Sequence, residues 1–190
     1  MNSQTLDAAW PSANADDCLK RAQKGHLHTS VDCIWGFTQI GITQETSEML
    51  ALITRRGLLI PKVLYIGPKQ GPGIFQSFVD SVFGQLRGLQ KEEFMSVFVD
   101  DCNVSTERLP DDTYDDLVER HLTQLEVFFK AAKSRNIQFK LSKSKFAHEE
   151  IPMLGFIVGQ GKRSAQPGKA AALESWPDPK RNEDVTSFRA

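Results

Sequence analysis

Two adjacent carboxylates, Asp100 and Asp101, sit between an apolar run, Met95-Ser96-Val97-Phe98-Val99, and a second short run, Cys102-Asn103-Val104. That pattern predicts strand, tight turn, strand. A turn more often carries Asn, Gly or a single Asp, whose side chains satisfy local backbone groups. Two anions pushed out together by a buried hairpin repel each other. A divalent cation is the simplest neutraliser, because Mg²⁺ is commonly held by one or two carboxylates plus substrate phosphates. The dipeptide alone says little, since Asp-Asp also occurs at 16–17, 111–112 and 115–116. Those pairs lie in polar stretches near expected helix starts, where acids complement the positive end of the helix dipole. A further acid, Asp32, ends the run Ser30-Val31-Asp32. Three converging carboxylates can hold two Mg²⁺ or Mn²⁺ ions roughly 3.5–4 Å apart, the arrangement that clamps both oxygens of an in-line phosphoryl transfer.

The elements that must position these acids follow from periodicity and punctuation. Residues 14–25 predict a short helix with Asn14 or Asp16 near its cap and Gly25 past its end. Residues 26–34 suit a strand ending at Asp32. Two β-leaning runs, 49–54 and 58–66, flank the turn Arg55-Arg56-Gly57. After a Gly/Pro-rich loop at 67–73, Pro72 opens a helix in which Ile74, Phe75, Phe78, Val79, Val82, Phe83 and Leu86 keep helical spacing up to Gly88. The carboxylate hairpin occupies about 93–106. A long helix is expected over 111–135, strands over 137–141 and 153–158, and a short helix over 168–176 between Pro167 and Pro177. Apart from the inserted hairpin, the order is β-α-β-β-α-β. It predicts an α+β fold, an antiparallel sheet with both helices on one face, with the first strand beside the central hairpin. Asp32, Asp100 and Asp101 then meet at one corner.

Composition sets limits. With 190 residues, 40% of them hydrophobic and 25% charged, the chain can bury the core of one domain or one and a half. Its polar N-terminus lacks a signal-peptide core, and no apolar run is long enough to cross a membrane. Cys18, Cys33 and Cys102 show no metal-ligand spacing. An intracellular, unsecreted protein is expected. A net charge of −1 makes no global case for nucleic acid, so a polyanion would need a local patch. The one notable cationic group is Lys140, Lys143, Lys145, Lys162 and Arg163.

Several ordered motifs resemble the reverse transcriptases of gypsy-type LTR retrotransposons and, more distantly, the retroviral enzymes. Trp10-Pro11 and Asp16-Asp17-Cys18-Leu19 resemble the approach to the first catalytic strand. The segment 30–40, with Asp32, resembles the motif of the first catalytic aspartate. Gly67-Pro68-Lys69-Gln70-Gly71-Pro72 and the following residues to Gln76 resemble the loop-to-helix motif under the templating pair. Phe98-Val99-Asp100-Asp101 stands where the family has its aromatic-X-Asp-Asp box. Residues 139–146 match the lysine-bearing motif, and Met153-Leu154-Gly155-Phe156 match the hairpin that holds the primer end. Trp176-Pro177 and Ser187-Phe188 resemble the start of the next subdomain.

The resemblance implies a polymerase palm with a partial fingers hairpin. It places the start of the palm at 1–39, partial fingers at 40–70, palm with both hairpins at 71–161 and a truncated thumb or connection at 162–190. It implies RNA-directed DNA synthesis, with Asp32 and Asp100 as principal ligands of two Mg²⁺ or Mn²⁺ ions, Asp101 completing the site and Lys143 holding or protonating the departing pyrophosphate. Cys33, Phe37, Ile66, Gly67 and Gln76 would border the nucleotide, with Phe37 excluding a 2′-hydroxyl. Lys69, Gly71, Pro72, Phe98, Lys140, Lys145, Met153, Leu154 and Gly155 would contact nucleic acid. The implied partners are an RNA or DNA template with primer, deoxynucleoside triphosphates, and the rest of a polyprotein: further fingers, thumb, RNase H and integrase. The chain departs from the family at three places: Phe98 where Tyr is commoner, Tyr65-Ile66-Gly67-Pro68 for Pro-Phe-Gly-Leu, and Ser144 for Cys. Lacking the basic fingers residues upstream, the chain is expected to polymerise weakly. A non-catalytic nucleic-acid-binding remnant is the alternative.

Overall fold

The computed structural model describes residues 10, 14–89 and 94–168. Four strands form the main antiparallel sheet: β1 (Leu27–Asp32), β4 (Met95–Phe98), β5 (Asp101–Thr106) and β6 (Lys145–His148), in the order β4-β5-β1-β6. This is the order that a β-α-β-β-α-β chain requires, with the first strand next to the hairpin. A separate hairpin joins β2 (Leu52–Thr54) to β3 (Gly57–Leu59), and a meander joins β7 (Ile151–Met153), β8 (Phe156–Gly159) and β9 (Lys162–Ala165).

Alternation along β1 and β5 sorts the sheet into two faces. Val31, Val97, Cys102 and Val104 look toward α3 (Gly71–Leu89) and α4 (Tyr114–Ser134), whose Phe75, Val79, Phe83, Leu125 and Phe128 complete one buried cluster. Both helices thus share a face. Helix α4 starts at a capping box between Thr113 and Asp116. Phe83 and Phe128, both fully buried, stack with ring centroids 4.9 Å apart where the helices meet. Removing such a ring costs about 3–5 kcal/mol, so Phe128→Ala should lower the urea midpoint sharply; an unchanged midpoint would show that this stack is dispensable.

The other face belongs to α1 (Ala15–Lys24), capped by Asn14, whose side chain accepts from the Asp16 amide. Helix α1 packs on β4 and β5 and seats the meander: Cys18, Leu19 and Ala22 bury against Ile151, Met153 and Val158, with Phe98 beside them. The Gln160 and Gly161 amides donate to the Gly25 and Gln23 carbonyls at 2.7 and 2.8 Å.

Several expectations change in detail. The strand expected over 137–141 is a single bridge, Phe139 to Cys33, and the strand that pairs with β1 is β6. The reason is local: the Ile137 amide still donates to Ala132 in α4, Asn136 adopts φ 56°, and Leu141–Lys143 close a 3₁₀ turn before the chain extends. The run 153–158 splits at Leu154-Gly155, whose φ values of 48° and 84° make a two-residue hairpin turn. A short helix, α2 (Gln44–Met49), precedes β2, and β3 stops at Leu59, before Pro61. The helix expected over 168–176 lies outside the described residues beyond Gly168.

Candidate active site

Asp32 is the last residue of β1 and Asp101 the first of β5, and they are directly opposed Cα partners. Phe98 is the partner of Asp101 on its other side. Between Phe98 and Asp101 the chain reverses through Val99, at φ 53°, and exposed Asp100. The Cys33 amide donates to the Asp100 carbonyl at 3.1 Å, fastening the hairpin tip to the end of β1. The backbone therefore sets residues 32, 100 and 101 at one corner of the sheet. Burial raises the Asp101 carboxyl above the usual range, and the charges of Asp100 and Asp32 add to that. Among the described residues, no three His, Cys, Asp or Glu side chains already form a metal-holding cluster. The donor set itself, three carboxylates with an excess of negative charge, has the hard-oxygen chemistry of a Mg²⁺ or Mn²⁺ site.

Lys143 Nζ stands 3.5 Å from Asp32 Oδ2, placed there by the 3₁₀ turn, while the Lys140 amide donates to the Asp32 carbonyl at 2.8 Å. Asp32, Asp100, Lys140 and Lys143 line a cavity of about 760 Å³ together with Cys33, Ile34, Trp35, Gly36, Phe37, Thr38 and Ile66. Asp101 is half-buried beside that cavity rather than on its wall. Phe37 rests on Phe75, ring centroids 5.5 Å apart, and a Cβ at Gly71 would touch its ring at 3.6 Å. Phe37 thus lies between cavity and core.

The remaining candidate residues fall in three places. Gly67 (φ 139°) and Lys69 are exposed on the loop leading into α3, and Pro72 is exposed in the first turn of that helix. Gln76 is buried in α3 and donates to Asp80 at 3.2 Å, away from the cavity wall. Met153, Leu154 and Gly155 form the β7–β8 turn beside Phe98 and α1. The five-residue cationic group divides. Lys140 and Lys143 stay at the carboxylates, and Lys145 is exposed on β6. Lys162 and Arg163 line a second cavity with Lys20 of α1. There Arg163 pairs with Asp16 at 3.0 Å and lies over the Phe156 ring, because the meander docks on α1 rather than on β6.

The motif reading gave no role to two residues that shape the site. Gln39 donates to the Ile34 carbonyl at 2.6 Å and the Gln138 carbonyl at 3.0 Å, and accepts from the Gln138 amide, tying the cavity wall to the segment after α4. Trp35, at φ 46°, exposes its indole at the cavity. A Gln in a turn and a Trp among turn residues carry no such signal in the sequence.

Residues 2–158 match the family model described as reverse transcriptase (RNA-dependent DNA polymerase). The chain is 25% identical over 188 residues to the retrovirus-related Pol polyprotein from transposon 297 of Drosophila melanogaster, covering 99% of this chain and 16% of that one. To the enzymatic polyprotein of Cauliflower mosaic virus (strain D/H) it is 26% identical over 178 residues, covering 94% of this chain and 24% of that one. The chain thus spans a quarter or less of these relatives. Among solved structures, the foamy viral protease-reverse transcriptase in complex with double-stranded DNA superposes with a TM-score of 0.82 at 22% identity, over 98% of this chain and 30% of that chain. That likeness shows the palm fold, and with the family match over most of its length this chain belongs to the reverse transcriptase (RNA-dependent DNA polymerase) family.

Proposed function

We propose that this chain is the palm-containing part of a gypsy-type retroelement polyprotein, and that it adds deoxynucleotides to a primer on an RNA or DNA template. The observation that carries this is the opposition of Asp32 and Asp101 across β1 and β5, with Asp100 at the adjoining tip. Asp32, Asp100 and Asp101 would hold two Mg²⁺ or Mn²⁺ ions. Those ions, when bound, supply neutralisation of the phosphates and acidification of the attacking hydroxyl. The chain's own residues do the positioning, which is most of the catalysis in phosphoryl transfer. Lys143, already beside Asp32, holds the departing pyrophosphate, and Lys140 adds positive charge to the same cavity. Phe37 closes the floor where a ribose would lie. The Met153-Leu154-Gly155 turn, seated on α1 next to Phe98, supports the primer end, while Lys69, Gly71 and Pro72 border the template. The segments 1–39 and 71–161 read as palm, 40–70 as partial fingers and 162–190 as the start of the thumb. An intracellular setting follows from this reading, as does a polyprotein context.

Primer extension on the purified chain tests it. Template-directed incorporation that rises with Mg²⁺ or Mn²⁺ and stops with a chelator is the expected result, at a low rate. Binding of primer–template that is indifferent to metal, with no incorporation at any metal concentration, would overturn it in favour of a non-catalytic nucleic-acid-binding protein.

A further inference from the structure

The segment that carries Lys143 is lightly anchored. Gln138, Lys140, Leu141 and Lys143 are exposed, and the 3₁₀ turn Leu141–Lys143 buries none of its residues. Two backbone hydrogen bonds lay this segment beside the end of β1. The Ile34 amide donates to the Gln138 carbonyl at 3.0 Å, and the Lys140 amide donates to the Asp32 carbonyl at 2.8 Å. The Gln39 side chain completes the attachment. Its Oε1 accepts from the Gln138 amide at 2.8 Å, and its Nε2 donates to the Gln138 carbonyl at 3.0 Å and to the Ile34 carbonyl at 2.6 Å. A carboxamide offers the same donor and acceptor as a peptide group. Gln39 therefore pairs with Gln138 as a residue of a neighbouring antiparallel strand would, exchanging both bonds. Its second N–H reaches back to the chain leaving β1. At the far end of this clasp Lys143 Nζ stands 3.5 Å from Asp32 Oδ2 on a side chain 60% exposed, so its position depends on where its backbone is held. An exposed segment with few buried contacts opens easily.

We infer that Gln39 is a positioning residue that acts through Lys143: its carboxamide clasps residues 138–140 to the end of β1 and so keeps the Lys143 ammonium beside Asp32 during nucleotide addition. This rests on the polymerase reading above and adds to it a residue that lies off the cavity wall. Loss of the clasp leaves the carboxylates in place, because β1 and β5 hold them by their own register. It frees the lysine. The cost of losing Gln39 is therefore the cost of a misplaced Lys143.

The test joins amide exchange to kinetics, on the full chain. Gln39→Met keeps the length of the side chain and removes all three hydrogen bonds. Gln39→Glu keeps the acceptor for the Gln138 amide but sets a carboxylate against the Ile34 and Gln138 carbonyls. In both variants the Lys140 amide should exchange about tenfold faster by NMR, with the amides of α4 and β5 unchanged. In primer extension kcat should fall about tenfold, with KM for the primer–template unaltered. In a Lys143→Ala background the same substitutions should change kcat by about twofold or less, because the group they position is gone. A residue that merely stabilised the fold would lower kcat equally in both backgrounds. Equal falls in both, Lys140 exchange as in the wild type, or loss of protection across α4 as well overturns the inference while sparing the polymerase reading. No incorporation by the wild type overturns both.

Discussion

Exchanging either Asp100 or Asp101 for asparagine should cut primer extension by about 10³-fold, as expected when a group neutralising transition-state charge is lost, but only Asp101→Asn should also raise the melting temperature of the metal-free protein. The difference lies in where the two carboxylates sit. Asp101 is half-buried at the start of β5, opposite Asp32, and its carboxyl is held above the usual range by burial first and by the neighbouring acids second. Its ionised form is therefore a cost to the fold at neutral pH, which an amide of the same shape removes. Asp100 is exposed at the turn, and its replacement relieves no buried charge. On the proposed polymerase reading, the site trades stability for a place to hold cations. Thermal melts of both variants with and without Mn²⁺ read this out: the wild type should gain on adding metal what Asp101→Asn already has. If Asp101→Asn melts lower than wild type without metal, the carboxylate is a structural acceptor and not a ligand held in reserve.

Acidification from pH 7 to pH 5 should remove about 4 kcal/mol of stability, read as a fall in the urea midpoint. Two fully buried histidines are responsible. His121 on α4 bridges Thr29 of β1 at 2.8 Å and Thr106 of β5 at 2.6 Å. His28 lies 3.0 Å from Ser105 Oγ and 3.2 Å from the Gly25 carbonyl. Burial lowers both rings from 6.5 to about 4. A base whose folded value is depressed stays neutral in the fold while the unfolded chain takes up the proton. Stability is therefore complete above pH 6.5 and drains away as pH falls from there toward 4. Each histidine contributes about 2 kcal/mol of that loss by pH 5. The acids Asp16, Asp112, Asp116 and Glu126, whose ion pairs and hydrogen bonds hold them low, add a loss of the same sign only at more acid pH. Asp101 works against the trend, because its penalty lifts on protonation. A midpoint that does not move between pH 7 and 5 would mean that both rings are charged in the folded chain.

The parts of the fold that could be read from the sequence are those whose local pattern and tertiary role agree. The stripe of Phe75, Val79, Val82 and Phe83 marks α3 because the face that buries is the face that repeats. The 95–106 hairpin is legible for the same reason. Helix α2, QETSEM, has no such stripe; a Thr43 cap and the Ser47 hydroxyl bonded to the Pro61 carbonyl sustain it. Strand β6 is exposed at all four residues and exists because the edge of β1 has backbone groups to satisfy, a need that Lys145–His148 do not announce. At the site, the acids were visible as charges in an apolar setting. The aromatic lip was not, because the direction of Trp35 depends on a left-handed turn held by Thr38 and Phe75. The cationic group looked like one patch because distance along the chain says nothing of the meander's docking.

The seat of that meander has a consequence for how the chain is made. Cys18, Leu19 and Ala22 leave the ribosome well before the residues that cover them, Ile151, Met153 and Val158, which come more than a hundred positions later. At about 5–20 residues per second, the apolar side of α1 goes several seconds or more without its cover on every nascent copy. Chaperone demand during synthesis, and loss to aggregation when synthesis is fast and chaperones scarce, should therefore concentrate on α1 rather than on the large core between α3 and α4.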